Sequence, residues 1–418
     1  MIYDHASTKL AAVTASWEGR NIRILDEVDC ISSVSGGSFT AAYYALYGDN
    51  IFKEFGDKFL YRNIQRELIL KAVNPLNWGR LASPYFSRSD LASELYDQTI
   101  FDKKTFGDLR ARNQRPFLIL NATHLQPGAR FQFTQDQFDY VGSNLMDFPI
   151  GRAVAASSAF PFLLSPISLK NFPDAEGSPS PPSKEDFQEH YHLNRRLYEW
   201  AKQRSSYGDK DAHPYVHLMD GGLADNIGLR AITDEYRRGF IRKRINTEKI
   251  DKLVIIAANA RTAPPEDLDK HRHPPGLVDV ALKTATISME NYSFDTVEMT
   301  RELTEQRAQS QRELENCQSN INARCPGSPA LPPLAGRNLR SYVIELNFEG
   351  IENPQEQECF LSLPTSYSLS HQQVIALINI AGELLETHPK FKELLQDLGA
   401  KSEPVGARAK TTHCQQNS

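Results

Sequence analysis

The chain has 418 residues, of which 40% are hydrophobic and 24% charged, a composition typical of a globular protein with a buried core. Its 47 Lys and Arg against 52 Asp and Glu leave a net charge of −5, without the basic excess that nucleic-acid binding requires. These numbers exclude disordered, collagen-like and coiled-coil classes for the bulk of the chain, and they exclude nucleic acid as a partner.

The sequence offers no obvious membrane or disulfide architecture. No stretch is long and apolar enough to span a membrane, and the N-terminal residues lack the apolar segment of a secretory signal. These features predict a cytoplasmic or peripheral membrane-associated protein, and they do not indicate an oligomeric state. The five cysteines are too scattered for a disulfide framework, and the local pair Cys317 and Cys325 is compatible with a bridge or with free thiols.

Apolar strands alternate with helices along the chain. Strands are predicted within Arg23 to Ser33 and over residues 116–120, 129–134, 214–219, 252–258 and 341–348. Helices are predicted over residues 39–47, 51–72, 151–160, 185–205, 277–316 and 372–398. This alternation predicts an α/β fold with a largely parallel central sheet and helical insertions.

Two Pro-rich segments and a polar end interrupt the pattern. Residues 173–184 lack core-forming side chains and predict an exposed loop or linker, as do residues 326–336. We expect one α/β domain over residues 1–260. The long polar helix, late strand and C-terminal helix of residues 261–418 should complete or flank it, with a polar tail from about residue 399 to 418.

A serine lies in a tight turn between the first predicted strand and helix. The pentapeptide Ser33-Val34-Ser35-Gly36-Gly37 is similar to the G-x-S-x-G nucleophile elbow, with Ser33 replacing the first glycine. Such a turn lifts the hydroxyl clear of the sheet, and the Gly36 N–H at the helix N-terminus is the natural donor to a developing oxyanion. Ser35 is therefore the candidate nucleophile, with a purely structural Ser/Gly-rich turn as the alternative.

An aspartate followed by two glycines ends a later predicted strand. Asp220-Gly221-Gly222 stands at the carboxyl end of the strand over residues 214–219, where catalytic groups gather in open α/β sheets. An activated serine needs a base within hydrogen-bond reach, and Asp220 can supply it. Asp225 is the second choice of base, and a simple Asp-Gly turn is the structural alternative.

Four segments of the chain resemble bacterial patatin-like phospholipases: residues 26–48 around Ser35, 129–139, 153–167 and 217–232. The resemblance implies a three-layer α/β/α fold and a serine lipid acyl hydrolase that acts on phospholipids or related acyl lipids. It further implies a Ser-Asp dyad without a catalytic histidine, an acyl-enzyme, and no metal or organic cofactor. By this resemblance Ser35 is the nucleophile and Asp220 the general base.

One feature of that family has no counterpart in this sequence. The family carries a glycine-rich loop ahead of the elbow that supplies further oxyanion donors, whereas Gly19 is the only glycine before Gly36. Residues 5–16 are predicted to form the helix that follows this loop, so we expect an N-terminally incomplete domain. Losing one oxyanion donor typically costs ~10²- to 10³-fold in kcat. The alternative function is therefore a catalytically impaired lipid-binding or scaffold protein.

Other candidate residues give weaker hypotheses. His371, near the start of the C-terminal helix, is the best candidate for a histidine-dependent triad, whereas His217 should face away from Asp220 on the same strand. Arg152 could steer an anionic head group, although a surface ion pair is its commoner role. Residues 51–78 interleave aromatic and basic residues, which suits either an interfacial helix or lid with peripheral membrane contact, or a helix packed on the sheet.

Overall fold

The computed structural model describes residues 8–17, 20–161, 163–172, 182–263, 272–332, 339–364 and 368–402. Its strands are β1 (Val13–Trp17), β2 (Arg20–Arg23), β3 (Cys30–Ser33), β4 (Phe117–His124), β5 (Ala129–Gln132), β6 (Ile167–Lys170), β7 (Tyr215–Asp220), β8 (Lys252–Ala258), β9 (Arg340–Leu346) and β10 (Lys401–Ser402). The helices up to β6 are α1 (Gly36–Tyr47), α2 (Ile51–Phe55), α3 (Ile64–Val73), α4 (Pro75–Leu81), α5 (Arg88–Thr99), α6 (Phe106–Ala111), α7 (Gln135–Tyr140) and α8 (Ile150–Ser157).

The remaining helices follow β6 in the chain. They are α9 (Lys184–Gln188), α10 (His190–Leu193), α11 (Arg195–Ser206), α12 (Gly222–Asp225), α13 (Leu229–Arg238), α14 (Phe240–Asn246), α15 (Leu277–Arg324), α16 (Pro354–Leu361), α17 (His371–Thr387) and α18 (Pro389–Asp397). Within the described residues, none of these helices combines the length and the apolar character needed to cross a bilayer.

In the central sheet β4 pairs with β3, β5 and β7, and β7 also pairs with β6. Strands β3 and β4 are parallel, but β4–β5, β4–β7 and β6–β7 are antiparallel. The α/β class is confirmed, whereas the expectation of a largely parallel central sheet is corrected to a mixed one. The connection over residues 125–128 is too short for a parallel crossover, so β5 must return beside β4 as a hairpin.

Strands β3 and β7 lie end to end along one edge of β4. The Phe117 N–H donates to the Asp29 carbonyl at the start of β3, and the Leu125 N–H donates to the His217 carbonyl of β7. Phe117 and Leu125 are an even number of residues apart, so their N–H groups point to the same edge of β4. Since β3 and β7 run in opposite directions relative to β4, their carboxyl ends meet near its middle.

Helices cover both faces of this sheet. Ser33 Oγ lies 3.3 Å from Ser38 Oγ of α1, whereas Ser32 Oγ donates to the Gly228 carbonyl just before α13 at 2.6 Å. Neighbouring residues of a strand point to opposite faces, so α1 and α13 lie on opposite sides of β3. The result is the three-layer α/β/α arrangement that the family resemblance implies.

The predicted N-terminal helix is only partly present. Residues 8–12 are helical, but Val13–Trp17 form β1, which pairs with β2 and with β10. Burial alternates along β1, with Val13 and Ala15 buried and Thr14 exposed, which is the period of a strand and not of a helix. Strand β10 falls within the predicted polar tail, of which residues 403–418 lie outside the described part of the chain.

Polar caps break three segments that the sequence predicts as single helices, namely residues 51–72, 185–205 and 372–398. Asn63, Asn194 and His388 accept hydrogen bonds from backbone N–H groups at the starts of α3, α11 and α18. Pro389 occupies the first turn of α18, where its missing N–H costs nothing. The predicted linker over residues 173–184 lies mostly outside the described residues, which resume at Pro182.

The core extends across the residue at which we expected the first domain to end. Strand β8, before residue 260, pairs in parallel with β9, after it. One cluster of buried apolar side chains includes Tyr43, Leu120, Ile344 and Leu385. The C-terminal elements therefore share the core of the sheet that carries Ser35 and Asp220.

Candidate active site

Ser35 occupies a sharp turn between β3 and α1. Its φ of 51° and ψ of −128° place a residue with a side chain in a region that favours glycine, which is a strained conformation typical of functional turns. The turn is closed by the Gly37 N–H, which donates to the Val34 carbonyl at 3.0 Å. A Cβ added at Gly36 or Gly37 would meet nothing within 4 Å, so small residues leave the approach to Ser35 open.

The Ser35 hydroxyl donates a hydrogen bond to Asp220. The distance from Ser35 Oγ to Asp220 Oδ2 is 2.9 Å, and the Gly222 N–H donates to Oδ1 of the same carboxylate at 2.8 Å. Burial raises the pKa of Asp220 to about 6, and the two donors only partly oppose it. The carboxylate is thus ionised at neutral pH yet more basic than an ordinary aspartate, as a general base should be.

Both glycines after Asp220 allow close packing around its carboxylate. A Cβ at Gly221 would lie 2.3 Å from the Asn121 carbonyl oxygen. A Cβ at Gly222 would lie 2.1 Å from Met289 Cε and 3.1 Å from Asp220 Oδ1. A larger residue at Gly221 would push the turn away from the backbone of β4, whereas one at Gly222 would require the flexible end of the Met289 side chain to move.

Ser157, at the end of α8, joins the two turns and is not among the residues predicted for the site. Its carbonyl accepts hydrogen bonds from the Ser35 and Gly221 N–H groups, each at 3.1 Å. Its hydroxyl accepts a further bond from the Ser35 N–H at 3.1 Å and donates to the Asn121 carbonyl at 2.6 Å. A serine in a helix of small residues carries no sequence signal for this contact, because the partners are distant in the chain.

A line of buried hydroxyls continues from Ser157 behind the elbow. Because Ser157 gives its proton to Asn121, Ser38 must be the donor in the 2.8 Å contact between Ser38 and Ser157. Ser33 lies on the other side of Ser38, between β3 and α1. Ser33 therefore packs beneath the elbow, and its hydroxyl does not face the opening above Ser35.

Gly36 is the elbow residue whose N–H remains available. The N–H groups of Ser35, Gly37 and Ser38 are occupied by Ser157, Val34 and Ser35, respectively. Among the described residues, none accepts a hydrogen bond from the Gly36 N–H at the N-terminus of α1. The geometry is that of an oxyanion donor facing an open approach.

Asp225, the second choice of base, makes different contacts. Its Oδ2 accepts from the Arg230 N–H at 2.9 Å and lies 3.7 Å from an Nη of Arg130. Burial raises the pKa of Asp225, and the two arginines lower it. Asp225 is therefore held in a charge cluster and does not contact Ser35.

The other polar candidates lie away from the dyad. The His371 ring stacks on Tyr61 with centroids 4.1 Å apart, and the exposed His217 contacts Ser168, consistent with its predicted orientation away from Asp220. Arg152 forms an ion pair with Asp90. Cys317 and Cys325 are both free and exposed.

A cavity of about 2540 Å³ borders the elbow. Residues of β3 and of β8 line it together with Ser35 and Gly36, and its apolar lining includes Phe59, Leu60 and Phe160. In the described part of the chain, β3 pairs only with β4, and β8 only with β9. Among all the residues that the structure describes, no cluster of three or more His, Cys, Asp or Glu side chains is suited to bind a metal.

Comparison with known proteins identifies the family. A family model for patatin-like phospholipases matches residues 8–233, more than half of the chain. The chain belongs to the patatin-like phospholipase family. Neither curated proteins nor solved structures gave a match. The patatin-like region contains both Ser35 and Asp220, and membership assigns the chain to the lipid acyl hydrolases in general, with the α/β/α fold of that family.

Proposed function

We propose that this patatin-like chain hydrolyses carboxylic esters of acyl lipids with Ser35 as nucleophile and Asp220 as general base. The observation that carries the proposal is the 2.9 Å hydrogen bond from the Ser35 hydroxyl to a fully buried carboxylate. It joins two turns that lie 185 residues apart in the chain. Such an arrangement is the nucleophile–base pair that acyl transfer requires.

The mechanism follows from these contacts. As Ser35 Oγ attacks the ester carbonyl, its proton passes to Asp220 Oδ2, and the carbonyl oxygen becomes an oxyanion that faces the Gly36 N–H. Collapse of the tetrahedral intermediate expels the alcohol, which takes the proton from Asp220, and leaves an acyl-serine. Water then attacks this ester while Asp220 accepts its proton, and breakdown returns that proton to Ser35 Oγ as the carboxylic acid leaves.

The cavity supports an acyl lipid as the substrate. Apolar side chains such as Phe59, Leu60 and Phe160 line it together with Ser35. An acyl chain bound there would bring its ester to the elbow.

A lipid-binding or scaffold protein without turnover is the second candidate. One observation favours it: within the described residues, the elbow offers only the Gly36 N–H as an unoccupied oxyanion donor. With one donor, a bound lipid would be hydrolysed slowly or not at all.

A fluorophosphonate probe separates the two candidates, because it reacts only with an activated serine. We expect the wild-type chain to be labelled and to hydrolyse a short p-nitrophenyl ester. Ser35→Ala should abolish labelling and lower hydrolysis at least ~10³-fold. Ser168→Ala, which removes an exposed hydroxyl from β6, is the matched control and should retain both. Absence of labelling in the wild type would favour the lipid-binding candidate, and turnover by Ser35→Ala would reject the nucleophile.

A further inference from the structure

Large apolar side chains are concentrated on the surface of one short segment. Residues 61–87, which contain α3 and α4 and which we call the arm, connect the helical turn ending at Leu60 with α5. Between 53% and 89% of the surface of six of its large apolar residues is exposed, namely Ile69, Leu70, Val73, Leu76, Trp78 and Tyr85. Exposed apolar residues are usually scattered singly, and a concentration of this kind marks an interaction surface.

The arm is also basic within an acidic protein. It carries four basic residues against one acidic one, a net charge of +3, whereas the whole chain has −5. The basic residues are Arg62, Arg66, Lys71 and Arg80, and the acidic one is Glu67. Apolar and aromatic side chains interleaved with Lys and Arg are the composition of segments that lie in the interface of a membrane.

The arm is a folded structure, so its exposed side chains do not reflect a lack of order in the backbone. Asn63 and Asn74 cap α3 and α4 through hydrogen bonds to the Arg66 and Leu76 N–H groups, at 2.8 and 3.0 Å. Arg80 pairs with Glu94 of α5 and lies 3.9 Å above the Phe86 ring. Arg80 thus joins the arm to α5, and Ile64 of α3 is buried in the main core, while the six apolar side chains named above stay exposed.

The base of the arm is connected to the cavity beside Ser35. Phe59 stacks on Phe39 of α1 at 4.3 Å, and it lines the cavity together with Leu60 and Gln65. A lipid surface in contact with the arm would therefore lie near the cavity that we propose for the acyl chain.

We propose that the arm docks this protein on an anionic lipid surface. The apolar side chains enter the boundary between head groups and acyl chains, Trp78 and Tyr85 lie at the level of the head groups, and Arg66 and Lys71 face lipid phosphates. A lipid surface fits better than an acidic protein because exposed apolar residues and basic residues are interleaved in the same short segment and the neighbouring cavity has an apolar lining. The proposal rests on the proposed function, since it names where the substrate of Ser35 is found.

Vesicle co-sedimentation tests the proposal directly. The probes are vesicles of phosphatidylcholine alone and vesicles that also contain phosphatidylserine. We expect the wild type to bind the anionic vesicles more tightly, and the double variant Leu76→Ser/Trp78→Ser to bind them at least tenfold more weakly. Phe240→Ser is the matched control, because Phe240 is 64% exposed outside the arm, and it should bind like the wild type.

Two further measurements distinguish failure of this proposal from failure of the proposed function. The double variant should hydrolyse a soluble p-nitrophenyl ester at the wild-type rate, and Ser35→Ala should still bind vesicles. Absence of vesicle binding by the wild type, or equal binding by the double variant, would overturn the docking role while leaving Ser35-dependent hydrolysis intact. If the wild type eluted as a dimer in size-exclusion chromatography and the double variant as a monomer, the arm would bind a second copy of the chain. That result would also overturn the docking role.

Discussion

Two buried aspartates lie five residues apart in the chain, and their surroundings differ. Asp220 is the candidate general base, whereas Asp225 is a structural carboxylate. Burial raises the pKa of both Asp220 and Asp225. Asp220 accepts from two neutral donors, one of which is the Ser35 hydroxyl, whereas Asp225 lies between a backbone N–H and the guanidinium of Arg130. Burial alone therefore does not make a base. Asp220 differs because it contacts a hydroxyl on a strained turn, whereas Asp225 lies near a cation that favours its charged form.

The surroundings of the two carboxylates also differ in what they connect. The Asp220 region joins β7 to the elbow through Ser157, whose carbonyl accepts from both turns. The Asp225 region joins α12 and α13 to β5, because Arg130 lies near Asp225 and donates to Asp234 at 2.8 Å. We therefore expect changes in the first region to reduce activity and changes in the second to reduce stability.

The largest expected effect comes from neutralising each aspartate in turn. Asp220→Asn preserves the shape of the side chain but removes the proton acceptor, so kcat/KM for a p-nitrophenyl ester should fall by ~10²- to 10⁴-fold. Asp225→Asn should retain most of the activity. It removes the ion pair between Asp225 and Arg130 and leaves Asp234 as the charged partner of Arg130, so the free energy of unfolding should fall by about 1–3 kcal/mol. Equal loss of activity in the two variants would contradict the distinction between them.

Urea unfolding provides the folding control for Asp220→Asn. The pKa of Asp220 in the folded protein is about 6, above its unfolded value of 3.8, so the folded state binds more protons between these values. Stability from this group is therefore lost as pH rises from about 4 to 6, by about 3 kcal/mol at most. At pH 8 the uncharged variant should be more stable than the wild type, which would exclude unfolding as the cause of its inactivity.

The pH dependence of hydrolysis gives the next effect. Because Asp220 must be ionised to accept a proton, kcat/KM should rise about tenfold per pH unit below its pKa of about 6 and level off above it. Asp225→Asn should show the same rise of kcat/KM with pH. The measurement is p-nitrophenol release at a wavelength that is independent of its ionisation. If kcat/KM levelled off near pH 4 instead, the base would be a carboxylate that is less buried than Asp220.

The smallest effect is expected from the residue that joins the two turns. Ser157→Ala removes the hydroxyl bonds to the Ser35 N–H and the Asn121 carbonyl but keeps the carbonyl that both turns share. Ser35 should remain reactive but less well oriented, so kcat should fall roughly tenfold with little change in KM, as expected for small misplacements. A change confined to KM would mean that Ser157 acts on lipid binding instead.

Much of the candidate site could be predicted because its signals are local. Ser35 is followed by two glycines after a short apolar strand, and Asp220 has the same setting, so each turn is specified by its own few residues. The roles of Ser157 and Ser33 could not be predicted in this way. Their partners are brought near by the packing of α8 and α1 on the sheet, which no local pattern records.

The sequence by itself determined the α/β class, the positions of most strands, and the two turns that carry Ser35 and Asp220. Hydrophobic periodicity and the positions of glycines depend on a few neighbouring residues, so they predict local elements and turns. The tertiary structure decided that β7 runs against β4 and meets β3 end to end, which brings the two turns together. It also decided which buried aspartate contacts a hydroxyl, because pairing direction and burial depend on the whole core.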